Sequence, residues 1–201
     1  MYNTKSPEED QFYQNSYIDS RLNRTVLEDS RPEIGFTDKA QNAVFKSLKK
    51  VIKNSYTRNE LFIKLTSRLD KFFSINRASM AFYEESRDLV SIPYMMANRE
   101  YKSGVQINFV ATNSIITNVL LKRKIFVRDF PHFLAINELE KKILLDRESN
   151  CLAVVPLICG EELVGTLNFA SASYFAFSLL ESHLLDYLFE RTAEKLLELP
   201  R

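Results

Sequence analysis

Two helices are predicted from the spacing of apolar residues in the first third of the chain. Between residues 40 and 54, the apolar side chains fall on about half of a helical wheel and the lysines fall on the other half. Thr37 or Asp38 can cap the start of this helix. Leucines then recur at helical spacing between residues 58 and 73, which predicts a second helix with one buried face.

After the second helix the apolar residues alternate with a period of two, which is typical of strands. Residues 78–83 and 89–94 are predicted strands, and the polar segment 84–88 between them indicates a hairpin. Residues 104–109 form either a further strand or a loop that crosses the sheet.

Three short elements are predicted in the middle of the chain. Polar residues at 112–114 precede a helix that runs to about residue 122. Residues 125–129 are a short strand, and residues 135–145 are a helix.

The C-terminal part has the clearest pattern. Residues 151–158 are an apolar strand, and Gly160 and Glu161 turn the chain back into a second strand at 163–169. Pro156 has no N–H group to donate to a neighbouring strand, so it indicates a sheet edge or a bulge.

The last helix is predicted to start at a capping box, Ser178 followed by Glu181, and to run to about residue 199. Its leucines and phenylalanine cover a wider arc than one packing face needs. We therefore expect burial on two sides, one against the chain's own sheet and one against a partner helix.

Charge is unevenly spread along the 201 residues. The whole chain carries 27 basic and 26 acidic residues, a net charge of +1, which argues against a nucleic-acid binder. Residues 1–34 hold four bases against seven acids, a net of −3, whereas residues 39–77 hold ten bases against two acids, a net of +8. We divide the chain into a polar N-terminal tail (1–38), an amphipathic helix (39–56) and a folded domain (57–199).

The lysine face of the first helix has two interpretations. Lys46, Lys49, Lys50 and Lys53 form either a solvated surface or a basic face for an acidic partner or an anionic membrane.

No membrane span is predicted, and we expect a cytoplasmic protein. The uncharged stretches 103–121 and 163–180 contain too many polar residues to cross a bilayer. The first ten residues are polar and acidic, unlike a signal peptide. Cys151 and Cys159 do not make a disulfide framework and suit a reducing compartment.

Five segments in this order resemble a GAF domain, and the resemblance covers about residues 57–199. The matching segments are residues 77–83 (RASMAFY), 124–129 (KIFVRD), 153–157 (AVVPL), 160–169 (GEELVGTLNF) and 176–181 (AFSLLE). The resemblance implies an α+β fold, GAF-like and PAS-related. It has a central antiparallel sheet of five or six strands, with the terminal helices packed on one face and with loops and short helices around a small-molecule pocket on the other.

The residues that particular GAF subclasses use to bind bilins, cyclic nucleotides or haem, or to reduce sulfoxides, are largely missing from this sequence. Neither Cys151 nor Cys159 is followed by the histidine common beside bilin-binding cysteines, and a sulfoxide reductase needs several loop cysteines. Residues 137–150 match the cyclic-nucleotide motif only loosely. His132 is the single loop histidine that could ligate haem. No catalytic residue, cofactor or metal site is predicted.

Ligand-binding candidates follow from strand ends and loops expected to face the pocket. Aromatic rings with a few polar groups suit a small-molecule site, although the same side chains could simply fill a collapsed pocket. The candidates are Tyr83, Tyr94, Phe109, Asn113, Asp129, Phe130, His132 and Cys151.

The resemblance implies a non-catalytic sensory or regulatory module that binds an unidentified small molecule and signals through dimerising terminal helices. We expect a homodimer through helices 40–54 and 178–199, with an effector that is either a protein in trans or a C-terminal domain. One alternative is a dimerisation scaffold with a degenerate pocket, and a less favoured one is a cysteine-dependent methionine sulfoxide reductase.

Overall fold

The computed structural model describes residues 38–97, 99–112, 114–177 and 183–200; at 38–41 and 183–185 it describes the backbone alone. Two helices come first: α1 spans Asp38–Lys53 and α2 spans Arg58–Phe73. The Thr57 hydroxyl accepts a hydrogen bond from the Glu60 amide at 3.1 Å and so begins α2. Both helices were predicted from the apolar spacing.

Six strands form one sheet in which every neighbouring pair is antiparallel. Along the sheet their order is β3-β2-β1-β6-β5-β4. The strands are β1 (Ile75–Glu84), β2 (Leu89–Ala97), β3 (Glu100–Val110), β4 (Phe126–Asp129), β5 (Cys151–Cys159) and β6 (Glu162–Ser171). The segment left open as a strand or a loop is therefore an edge strand, and the predicted α+β sheet is confirmed.

Three further α-helices lie within the described residues: α3 (Ile115–Lys122), α4 (Glu138–Leu144) and α5 (His183–Glu198). The prediction started α4 at residue 135. It begins three residues later because the Asn137 side chain caps it, accepting a hydrogen bond from the Glu140 amide at 2.7 Å. The capping box predicted at Ser178 and Glu181 lies outside the described residues.

Two hydrophobic layers enclose the sheet. We call the face covered by α1, α2 and α5 the helix side, and the face covered by α3 and α4 the loop side. The helix-side core joins Leu48, Leu61, Leu65, Leu69, Met80, Leu167, Phe169, Phe189 and Leu196. The loop-side core joins Ala81, Val90, Ile92, Ile116, Leu120, Ile143, Leu144, Leu152 and Val154.

Pro156 lies in the part of β5 that extends beyond the end of β4. β4 pairs only with Cys151–Val154 of β5, so Pro156 is bonded on one side to β6 and faces no strand on the other. The register of β5 also shifts between Leu157 and Ile158. The interpretation of this proline as a marker of an edge or a bulge is confirmed.

α5 packs on the sheet and also contacts α1 of the same chain. Leu188 and Leu196 are buried in the helix-side core, and the ring of Phe45 on α1 lies 6.2 Å from the ring of Tyr187 on α5. α1 therefore covers part of α5, and Tyr187 remains 41% exposed. No helix within the described ranges is long and apolar enough to cross a membrane.

Gly165 allows β1 and β6 to pair at the centre of the sheet. It is the partner of Phe82, and a Cβ atom added there would collide with the carbonyl oxygen of Ala81 and lie 3.2 Å from the Phe82 Cα atom. Because these are backbone atoms of a central strand, they have no rotamer through which to yield.

We expect Gly165→Ala to lower the free energy of unfolding by about 3 kcal/mol through this overlap. Gly104→Ala is the matched control, because Gly104 has a φ of 69° and open space around it. Gly104→Ala should lower the free energy of unfolding by only about 1 kcal/mol, the cost of placing a non-glycine residue in the left-handed conformation. Urea unfolding of both variants measures the difference; equal losses would contradict the close approach at Gly165.

Candidate functional site

Two of the candidate ligand-binding residues lie in one row on the loop side. Tyr83 of β1 and Phe109 of β3 are both partners of Val90 on the strand between them, so all three side chains share a face. Val90 is fully buried, while Tyr83 and Phe109 are half-buried against the loop-side core. This row lies on the face where the prediction placed a pocket.

Tyr94 lies on the opposite face from the one expected. Its ring packs 6.0 Å from Phe62 of α2 and 6.5 Å from Phe82, both in the helix-side layer. The reason is a bulge: between the Met80–Tyr94 and Phe82–Ser91 pairs, β2 has one residue more than β1. Strict alternation from Ile92 would have kept Tyr94 on the loop side, and Pro93 marks the interruption.

Cys151 also belongs to the helix side. It is fully buried in the helix-side core, opposite Asp129 across the β4–β5 pair. Burial, followed by the nearby Asp129 carboxylate, raises the pKa of the Cys151 thiol far above its ordinary value. A thiol that stays protonated and inaccessible is a poor nucleophile.

Asp129 joins two turns at the end of β4. Its Oδ1 atom accepts a hydrogen bond from the Phe175 amide at 2.9 Å. Phe130 and Phe175 both adopt left-handed backbone conformations, with φ of 53° and 57°, and the Phe130 ring lies 5.1 Å from that of Tyr174. Asp129 and Phe130 therefore lie at the edge of the sheet, away from the Tyr83–Phe109 row.

His132 is exposed in the short 3-10 turn Pro131–Phe133, so it is placed on the surface. Asn113 lies outside the described residues. No group of three or more His, Cys, Asp or Glu side chains in the described ranges could hold a metal ion.

Sequence reasoning missed three polar residues at the centre of the loop side. Ser79 and Asn168 are partners across the β1–β6 pair, and the Asn168 amide donates to the Ser79 hydroxyl at 3.0 Å. The remaining oxygen, Asn168 Oδ1, and the nearby Thr166 Oγ1 are buried without a hydrogen-bond partner among the described residues. The signal was available: Thr166 and Asn168 alternate with apolar residues in a strand that is buried on both faces.

A buried carboxylate organises the loop-side layer. Glu140 on α4 accepts hydrogen bonds from the Ser114 hydroxyl at 2.7 Å and from the amides of Ile115 and Ile116 at 3.1 Å each. These amides form the N-terminus of α3, which favours a negative charge. Burial nevertheless outweighs these hydrogen bonds and raises the pKa of Glu140.

Arg77 holds the other end of α4. Its Nε atom donates to the Ile143 carbonyl at 2.6 Å, and its guanidinium also donates to the Lys142 carbonyl. A cation at the last carbonyls of a helix is favourable. Glu140 and Arg77 thus fasten α4 to α3 and to β1, respectively.

The sequence matches no protein-family model and no curated protein, but the fold is similar to that of many solved structures. The nlh2 GAF domain of A. aeolicus in an inactive state has a TM-score of 0.60 and 14% identity, covering 77% of this chain and 94% of that one. The GAF domain of a two-component sensor histidine kinase from Bacillus halodurans has a TM-score of 0.58 and 14% identity, with coverages of 72% and 96%.

This chain has the GAF fold. The fold also occurs in the free methionine-R-sulfoxide reductase from Neisseria meningitidis, solved with its substrate, at a TM-score of 0.60 and 14% identity, covering 83% of this chain and 95% of that one. Solved structures with this fold thus include both the GAF domain of a sensor histidine kinase and a sulfoxide reductase.

In this GAF fold the loop side is a packed layer with a polar centre. Of the eight candidates, Tyr83 and Phe109 share the loop side with Ser79, Thr166 and Asn168. Tyr94 and Cys151 belong to the helix side, and the rest lie at the edge, on the surface or outside the described residues.

We expect the stability of Glu140→Gln relative to the wild type to improve as the pH rises above 4.5, the ordinary pKa of a glutamate. The folded state holds the Glu140 proton more tightly than the unfolded chain. Its contribution to stability is therefore complete below that pH and is lost as the pH rises through the raised pKa. The difference in the free energy of unfolding between the variant and the wild type can change by up to about 1.4 kcal/mol per pH unit.

Urea unfolding between about pH 4.5 and 8 measures this trend. Glu138→Gln, an exposed position on the same helix, is the matched control for the loss of one carboxylate. A wild-type advantage over Glu140→Gln that grows with pH would show that the carboxylate is favoured by its hydrogen bonds and not disfavoured by burial.

Proposed function

We propose that this chain is a non-catalytic regulatory GAF module that binds a small molecule on the loop side. The observation that carries the proposal is the pair of buried oxygens, Thr166 Oγ1 and Asn168 Oδ1, without partners among the described residues. A buried polar atom left unpaired costs about 1–3 kcal/mol, so a ligand that pairs with both gains that energy.

The two oxygens define the chemistry of the ligand. Asn168 Oδ1 is a carbonyl oxygen and can only accept hydrogen bonds, while the amide nitrogen of the same side chain donates to Ser79. Thr166 Oγ1 can accept or donate. The ligand is therefore a molecule with at least one N–H or O–H donor, and Tyr83 and Phe109 add aromatic surface on the same face.

The output of the module passes through α1 and α5. We propose a cytoplasmic homodimer through helices 40–54 and 178–199, which acts on an effector in trans or on a C-terminal effector domain. Tyr187 and Leu197 support an interface on α5, because each is 41% exposed. Light scattering tests the dimer: a monomer at micromolar concentration would contradict it.

A regulatory rather than a catalytic role is supported by the state of the cysteines. Both are free thiols on the single strand β5, and Cys151 is buried. Sulfoxide reduction needs an accessible thiolate and a second thiol to resolve the oxidised intermediate. A Cys159→Ser variant tests the alternative, since its turnover of methionine sulfoxide should equal that of the wild type and of buffer.

A second candidate function is a dimerisation scaffold with a degenerate pocket. Glu140 favours it, because this carboxylate already occupies the amide donors at the start of α3. The loop-side layer around it is otherwise packed with aliphatic side chains.

We expect Thr166→Val to leave stability unchanged or to raise it by about 1 kcal/mol, because it replaces an unpaired buried hydroxyl with a methyl group of the same size. Thr192→Val is the matched control: Thr192 is also buried, but its hydroxyl donates to the Leu188 carbonyl at 2.9 Å. Urea unfolding should show a loss for that variant. A comparable loss in Thr166→Val would mean that its hydroxyl is paired.

The same two variants separate the two candidate functions in a thermal-shift screen with a library of polar metabolites. A ligand at 100 times its dissociation constant stabilises by about 2.7 kcal/mol. We expect at least one compound to shift the wild type and Thr192→Val but not Thr166→Val. If no compound shifts the wild type, the scaffold is favoured.

A further inference from the structure

A cleft of about 490 Å³ lies on the helix side, on the face of the sheet opposite Thr166 and Asn168. One wall is the segment between α3 and β4, and the other is the middle of α5. The floor is the end of β5. A cleft of this volume is large enough for a small molecule.

The cleft exists because β4 is short. β4 pairs with β5 only as far as Val154, and Pro156 prevents a full set of hydrogen bonds on the edge beyond it. α5 packs across β5, so the uncovered end of the strand becomes the bottom of a groove. Ile125, Val155 and Phe189 give this groove an apolar part.

Opposite charges face the cleft from its two walls. Lys124 lies on the β4 side and Glu190 on α5. Both side chains are exposed, and neither has an ion pair or hydrogen bond with any residue that the structure describes. They line one cavity and do not pair with each other, so both charges are available to a ligand in the cleft.

The neighbouring Arg123 contrasts with Lys124. Its guanidinium donates to the carbonyls of Gly160 and Glu161 at 3.1 Å each and pairs with the Glu161 carboxylate at 2.8 Å. Its charge is therefore compensated, and it serves to fix the β5–β6 turn beside the cleft. Lys124 remains as the cation available to a ligand.

We infer that this cleft binds a zwitterionic small molecule with an apolar body, namely an α-amino acid with an apolar side chain. The carboxylate of the amino acid pairs with Lys124 and its ammonium group pairs with Glu190. Its side chain packs on Ile125 and Phe189. The bound molecule bridges α5 and the segment before β4, so it restrains the helix through which the proposed module signals.

The experiment titrates the full chain by NMR with L-leucine and with two analogues that each carry one of its charges. 4-Methylpentanoate keeps the carboxylate, and 3-methylbutylamine keeps the ammonium group. Because an ion pair with an exposed side chain contributes up to about 1 kcal/mol, we expect both analogues to bind about three- to fivefold more weakly than leucine. Analogues that bind as well as leucine, or a leucine that does not bind at millimolar concentration, would overturn the inference.

Two charge-neutralising variants locate the site. Lys124→Gln and Glu190→Gln should each weaken leucine binding about three- to fivefold. Lys102→Gln and Glu148→Gln are matched controls on exposed residues outside the cleft and should bind leucine like the wild type. Equal binding by all four variants would refute the site.

The outcome is independent of the proposed function. Thr166→Val lies on the other face of the sheet and should keep its leucine affinity, even if it loses a loop-side ligand. Leucine binding that is lost in Thr166→Val and kept in Lys124→Gln would place the amino acid on the loop side and overturn the inference, without affecting the proposed regulatory role.

Discussion

The pairing of β1 with β6 joins the two halves of the sheet. β1, β2 and β3 precede α3 in the chain, whereas β4, β5 and β6 follow it, and among the strands that the structure describes only β1 and β6 pair across these two groups. On the helix side the pair contributes Ala78 and Phe169 to the core, and on the loop side it carries Ser79 and Asn168. A glycine at position 165 is what allows the two backbones to approach.

Ser171, at the end of β6, connects the β1–β6 pair to the end of α2. Its hydroxyl donates to the Phe73 carbonyl at 2.8 Å and to the Ser74 carbonyl at 3.1 Å, at the point where α2 turns into β1. One short polar side chain therefore ties a helix, a turn and the central strands together. The positions of the functional residues on both faces of the sheet depend on the pairing of β1 with β6.

Most helices and strands could be predicted from the sequence, because the spacing of apolar residues and the capping residues depend on only a few neighbouring positions. Ser114, for example, lies in the polar segment predicted to precede a helix, and its side chain caps that helix. The site residues were harder to predict, because one irregularity in a strand changes the face of the sheet on which all later side chains of that strand lie. The bulge beside Pro93 moved Tyr94 to the helix side, and no local pattern showed that Glu140 would be buried against α3, 24–26 residues earlier in the chain.

The tie at Asp129 has a consequence for local unfolding. Phe130 and Phe175 are both held in left-handed conformations that cost a non-glycine residue about 1–2 kcal/mol each. One carboxylate bond links the strand that leads into the first turn to the amide of the second. Because this bond couples the two turns, opening of one removes a restraint on the other, so the two turns should open together rather than fray separately.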